Sequence, residues 1–238
     1  MRIEGPSDQP QLDEIDVIRQ LLPLSGARIL ELGCGAADKT RQIAAEPGVL
    51  EIVAAEVDQI QHRKNVDADA LPRVTFASYG AEAIAEPDAS FDIVLMFKSL
   101  HHVPVHLMDQ ALEEIHRVLK PGGLAYLSEP VFAGELNEVI RMFHDESTVR
   151  RAAFEAVCRA VADGALELEA EVFFKNVVRL KSFAQFEQGV LQATHTEHDL
   201  SPDLLARVRA KFESYGGEDG YRFEIPNRVD LLRKPEAV

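Results

Sequence analysis

Apolar positions along this chain follow two rhythms that take turns. Leu12, Ile15, Ile18, Leu21 and Leu22 recur at helical spacing and predict an amphipathic helix over residues 10–22, ended before Pro23. Ala27–Leu32 is instead a short run rich in Ile and Leu, read as a buried strand, with a turn at Gly33–Ala37 and a helix from Asp38 to about Ala45. The alternation continues with strands at Glu51–Glu56, Arg73–Ala77, Phe91–Phe97 and Leu124–Ser128, and helices at Ile60–Asn65 and Met108–Leu119. Phe91–Phe97 is apolar on both faces, as expected in the middle of a parallel sheet covered on both sides. In Met108–Leu119, Leu112, Ile115 and Leu119 face inward and Glu113, Glu114 and Arg117 outward, before a stop at Lys120-Pro-Gly-Gly.

From residue 131 the pattern changes. Helices are predicted at Leu136–Phe143 and Val149–Ala162, split near Asp145–Ser147, and again at Ser182–Thr194 and Ser201–Tyr215. Glu167–Leu180 and Tyr221–Leu232 have strand character, and Pro226 inside the second argues for a bulge or an edge position. With 238 residues the chain suits one domain: a core over 10–130, helices and a strand over 131–220 that cover the cleft and shape a pocket, and a final strand over 221–234.

Composition narrows the partners. The net charge is −15, so the surface repels polyanions, which argues against nucleic acid and anionic membranes. Two cysteines, Cys34 and Cys158, make no disulfide or metal framework, and a reducing, cytoplasmic setting is expected. Residues 1–9 lack the pattern of a signal peptide, and no apolar run approaches the ~20 residues of a membrane-spanning helix. A homodimer is compatible with all of this.

The stretch Ile29-Leu-Glu-Leu-Gly-Cys-Gly-Ala-Ala-Asp38 carries the chemistry. Two glycines at spacing two allow a sharp turn and close approach of a ligand. Asp38 is read as the N-cap of the helix that follows. Strand, glycine turn and helix make a nucleotide-sized cleft. A dinucleotide turn would want a third glycine at Asp38, where an acid meets a phosphate unfavourably. Glu31 instead suits an ammonium group. Glu56, or alternatively Asp58, ends the second strand where a carboxylate can accept both hydroxyls of a ribose.

This stretch resembles the first motif of class I S-adenosylmethionine-dependent methyltransferases, E/D-x-G-x-G-x-G: Glu31, Gly33 and Gly35 match, and Ala37 stands at the third glycine. Phe91-Asp-Ile-Val with Leu100-His-His-Val, and Arg117-Val-Leu-Lys-Pro-Gly-Gly-Leu-Ala-Tyr-Leu127, resemble later stretches of the small-molecule, type 11-like branch, so the likeness covers roughly residues 10–130. It implies an α/β fold with a Rossmann-like, seven-stranded, mostly parallel sheet, an antiparallel C-terminal strand pair and helical additions over the cleft. It implies methyl transfer from S-adenosyl-L-methionine to a small molecule, leaving S-adenosyl-L-homocysteine. Cofactor contacts would fall on Glu31, Gly33, Cys34, Gly35, Glu56, Val57, the Gly80-Ala81-Glu82 loop and Phe97. The family often has an acid on the adenine amine where Gly80 stands here, so Glu82 or the Ala81 backbone is the substitute. For a base, His101, His102 and Glu129 are the candidates, with Lys98 nearby; the simpler reading of the two histidines is that they cap a helix start and pack locally. No metal is expected: His195-Thr-Glu-His198 has suggestive spacing but no convergent partners and reads as an inter-helix loop. A non-catalytic cofactor-binding scaffold or sensor, and a nicotinamide oxidoreductase, are the rival readings.

Overall fold

The computed structural model describes residues 1–191, 200–217 and 219–236. In order, the first half comprises α1 (Glu14–Leu21), β1 (Arg28–Leu32), α2 (Asp38–Ala44), β2 (Glu51–Ala55), α3 (Gln59–Asp67), β3 (Val74–Ala77), β4 (Phe91–Phe97), α4 (Met108–Val118) and β5 (Leu119–Pro130). The second half comprises α5 (Glu135–Ile140), α6 (Ser147–Ala162), β6 (Glu167–Leu180), α7 (Phe183–Phe186), α8 (Pro202–Glu213), β7 (Gly216–Gly217) and β8 (Gly220–Arg233). Single 3-10 turns at Leu100–His102 and Val105–Leu107 join β4 to α4, and a π turn covers Glu187–Leu191.

The sheet runs β3-β2-β1-β4-β5-β8-β6. The first five strands are parallel, and β8 lies antiparallel between β5 and β6. This is the expected mostly parallel sheet with an antiparallel C-terminal pair; the two-residue β7, paired only to β8, raises the total to eight strands. Pro226 interrupts nothing. It pairs with Lys175 of β6 just beyond the point where β5 ends opposite Asn227, and on that side its carbonyl accepts the Val131 N–H at 2.9 Å.

Alternation along the strands sorts side chains onto two faces. Leu30 and Leu32 of β1 join a core with Leu112 and Ile115 of α4 and Ala156 and Val157 of α6. Ile29 joins Val17 and Ile18 of α1 and Ile43 of α2 on the other face. Beyond the end of β5 the β6–β8 ribbon projects on its own and carries a third core, where Phe223 meets Phe183, Phe186 and Phe212 of α7 and α8.

Two local expectations need correction. The cap of α2 is Ala37, in a left-handed conformation (φ 61°) with no side-chain cap, and Asp38 is the first helical residue. Lys120–Gly123 does not form a loop between helix and strand. It bulges out between the pairs Phe91–Leu119 and Ile93–Leu124, with Gly122 at φ 75° and its N–H donating to Lys234 O at 2.9 Å.

Glu114 and Arg117 of α4, read as solvent-facing, reach across the loop before β4 instead. Arg117 donates to the carbonyls of Ile84 and Glu86 and to Asp88 and Glu114, and Glu114 accepts the Ile84 N–H at 3.0 Å. Replacing Arg117 with Ala is expected to cost roughly 1–2 kcal/mol, since several carbonyls and carboxylates lose their donor. Hydrogen exchange should show the Ile84–Asp88 amides opening first, ahead of the strand amides of β4.

Candidate active site

A cleft of about 760 Å³ lies at the carboxyl ends of the parallel strands. That is the expected place for a ligand in an open α/β sheet, and the volume is in the range of small-molecule sites. The turn after β1 forms its floor. Gly33 N and Cys34 N both donate to Ala55 O, at 2.9 and 3.0 Å, tying the turn to β2. Gly33 has φ 72°, and a Cβ there would sit 2.7 Å from Ser99 Cβ. Ser99 Oγ donates to Leu32 O at 2.9 Å, and the chain reaches it through Lys98, itself left-handed at φ 54°. The tips of β1 and β4 are therefore pinned together at a point where only glycine fits. Gly35, at φ 52°, differs: a Cβ there would meet nothing within 4 Å. Its open face belongs to the cleft wall.

Glu56 completes the floor. One carboxylate oxygen accepts the Gly35 N–H at 2.8 Å and the other the Asp58 N–H at 2.9 Å. A carboxylate has about four acceptor positions, so two remain for a ligand. Asp58 is engaged as the N-cap of α3, accepting from the N–H groups of Ile60 and Gln61. Val57, Gly80, Ala81 and Glu82 also border the cleft, as do Lys98, Ser99 and His102.

Other expected contacts lie elsewhere. Glu31 is not on the wall. It is 2% exposed, on the α1–α2 side beneath the turn, and its Oε2 accepts Thr40 Oγ at 2.6 Å. Burial pushes its carboxyl up to about 7, against the opposing pull of the Thr40 hydroxyl and Lys39. Glu14 and Glu56 are both close enough to add to that rise. Cys34 is buried behind the turn; burial and the two carboxylates keep its thiol protonated. Phe97 turns to the other face, onto Tyr126 at 5.7 Å between ring centroids. Of the three candidate bases, His102 alone reaches the cleft. His101 and Glu129 are buried and bound to each other through His101 Nδ1, and Glu129 Oε1 accepts the Leu100 N–H at 2.9 Å. Burial alone would raise Glu129, but the His101 ring, the Leu100 N–H and Arg228 hold it below the usual carboxylate range. His195 and His198 lie outside the described residues. Of residues 131–220, Gly189 in the π turn is the described position that borders the cleft.

Two residues that support the turn escaped the sequence reading. Thr40 satisfies Glu31. Asn65 is 3% exposed within α3, donates to Gly35 O at 2.7 Å and accepts from Gln61. A buried Asn inside a helix, where its propensity is poor, was the available hint.

Fold and cleft together have the form expected of a class I methyltransferase. Residues 29–123 match the family model described as a methyltransferase domain. It is 35% identical over 121 residues to the 27-O-demethylrifamycin SV methyltransferase of Amycolatopsis mediterranei (strain S699), a match covering 48% of this chain and 43% of that one. It is 35% identical over 114 residues to the ubiquinone/menaquinone biosynthesis C-methyltransferase UbiE of Hydrogenovibrio crunogenus (strain DSM 25203 / XCL-2), covering 44% of each. The matched stretch spans about half the length of these curated relatives. Among solved structures, the YcgJ protein of Bacillus subtilis superposes with a TM-score of 0.66 at 18% identity, covering 94% of this chain and 98% of that one. The [4+2]-cyclase SpnF superposes with a TM-score of 0.62 at 21% identity, covering 94% and 80%. These two likenesses are of fold alone. No helix among the described residues is long and apolar enough to cross a membrane.

The two glycines should separate in a stability assay. Gly33→Ala meets both a strained φ and a clash, and is expected to destabilise by roughly 1–3 kcal/mol. Gly35→Ala carries the φ penalty alone, about 1 kcal/mol. Chemical denaturation of both variants checks the order.

Glu31 gives the fold a pH signature. Its folded value of about 7 lies above the ordinary 4.5, so the unfolded chain releases this proton first as pH rises. Stability is therefore lost between those two values and stays lost above them, by up to about 3 kcal/mol. Glu31→Gln should melt close to the wild type near the lower value and clearly above it in alkaline buffer.

Proposed function

We propose that this cleft binds S-adenosylmethionine and that the protein transfers the cofactor's methyl group to a small-molecule acceptor. The observation that carries the reading is the pairing of Gly35, whose open face leaves room for a ligand against the backbone, with Glu56, whose carboxylate keeps unused acceptor positions beside it. An amino-acid-plus-nucleoside ligand with a net positive charge fits that chemistry. A pyrophosphate does not, because Glu56, Asp58 and Glu82 all border the space it would occupy. This disfavours the nicotinamide reading.

The cofactor, when bound, supplies an electrophilic methyl group on a sulfonium. Glu56 would accept the ribose hydroxyls, as a two-oxygen acceptor can. Glu31, one layer below, would favour the cofactor's positive charge through the turn rather than by contact, and a cation there would draw its proton off. Ala81 and Glu82 would border the adenine, and Val57 would cover it from the solvent side. Gly189 and the segment from Ser99 to Pro104 would bound the acceptor. Holding acceptor, methyl and sulfur in line is a task of proximity and orientation, and an electron-rich acceptor needs no protein base for it.

Calorimetry with S-adenosylhomocysteine tests the reading. Micromolar binding to the purified protein is expected, weakened about 10–100-fold in Glu56→Ala as charge-assisted hydrogen bonds are lost, and lost in Gly35→Ala, whose new methyl fills the ligand's space. NAD should give no thermal shift. A folded protein that binds neither S-adenosylmethionine nor its product would overturn the reading. Mass spectrometry for methylated products across an acceptor panel then separates an enzyme from a scaffold.

A further inference from the structure

Behind the acceptor end of the cleft, the chain gathers side chains to which an in-line methyl transfer need give no acid–base role. His101, His102 and Glu146 each offer one ligand atom, and these atoms all lie within 4.8 Å of one another. The two imidazole rings are neighbours, with centroids 4.2 Å apart. His101 Nε2 is 3.7 Å from Glu146 Oε1, and His144 Nε2 is 3.1 Å from the same oxygen. We propose that His101 Nε2, His102 and Glu146 Oε1 form a binding site for a late first-row divalent metal ion such as zinc or cobalt, with its open coordination positions turned to the cleft.

Geometry, donor type and support point the same way. Bonds of 2.0–2.1 Å in a tetrahedral zinc site set ligand atoms about 3.4 Å apart, so the 3.7 Å between His101 Nε2 and Glu146 Oε1 is close to the needed edge. Two imidazoles and one carboxylate are a borderline donor set that suits zinc, cobalt, nickel or ferrous iron rather than magnesium or calcium. Each buried ligand is oriented by a second group. Glu129 engages His101 Nδ1, which leaves Nε2 aimed at Glu146, the carboxylate–histidine–metal arrangement that fixes ring and tautomer in metal sites. Arg150 holds Glu146 Oε2 at 2.5 Å and so directs Oε1 toward the histidines. Arg228 is the other cation near Glu129, and is itself paired to Asp230 at 2.8 Å. His101 and Glu146 are buried, whereas His102 is exposed and borders the cleft. Positions not filled by protein would therefore open on the cleft side, as in sites that bind a substrate atom. If the cleft methylates small molecules as proposed above, the metal would select acceptors with a hydroxyl or carbonyl oxygen; binding of the metal does not depend on that reading.

Cobalt titration of untagged protein, first stripped with a chelator, tests the site. One equivalent of cobalt with visible d–d bands is expected, bleached by one equivalent of zinc. His102→Ala and Glu146→Gln, checked for folding by circular dichroism, should each weaken cobalt binding at least about tenfold, and the positioning variant Glu129→Gln about 10–100-fold. The double variant His195→Ala/His198→Ala should bind as the wild type does. Folded protein without cobalt bands, binding unchanged in His102→Ala and Glu146→Gln, or binding lost in the His195→Ala/His198→Ala variant would each overturn the proposal. Cobalt binding in a protein that fails to bind S-adenosylhomocysteine would leave it standing and remove only the methyl-transfer reading.

Discussion

The short turn from Gly33 to Gly35 is the constraint on which the site depends. Two strand tips and a helix beside the cleft are tied to it: β2 through Ala55 O and Glu56, β4 through Ser99, and α3 through Asn65. A loop this close to the core cannot leave N–H groups unpaired without heavy cost. Left-handed backbone at residues 33, 35 and 37 is what aims those groups at their acceptors. Ala37 manages this with a Cβ, fully buried, at the entry to α2. The cleft is thus a property of the backbone first and of side chains second.

Electrostatics follow from that placement. Two carboxylates stand near the turn but in different environments: Glu56 at the surface of the floor, supplied with two N–H donors, and Glu31 beneath it with a single hydroxyl. Few donors and full burial make Glu31 reluctant to ionise. Burial therefore holds back the charge of Glu31. Within one chemical type, burial and donor count set the difference.

Much of the architecture was legible along the chain, for physical reasons. The two-sided apolar run at Phe91–Phe97 fits an interior strand, and β6 showed itself by its Val and Phe residues. The glycine pair marked the turn. Depth was not legible. Alternation says that Glu31 and Leu32 point to opposite faces, but nothing local says that the Glu31 face is the one covered by α1 and α2. The same gap misplaced Phe97 and gave Asp38 a cap that Ala37 holds. Clusters drawn from distant segments were beyond reach altogether: Glu129 and Glu146 flank His101 from 28 and 45 residues away, so no spacing rule could join them.

The position of β8 bears on how the protein is made. β6 leaves the ribosome long before β8, yet its whole length is separated from β5 by the later strand. Until residues 220–233 exist, β5 and β6 each expose a long unpaired border that no earlier segment fills. The sheet can close between β5 and β6 only once residues 220–233 have been made. A strand border left open until then is the kind of edge with which a neighbouring chain can pair.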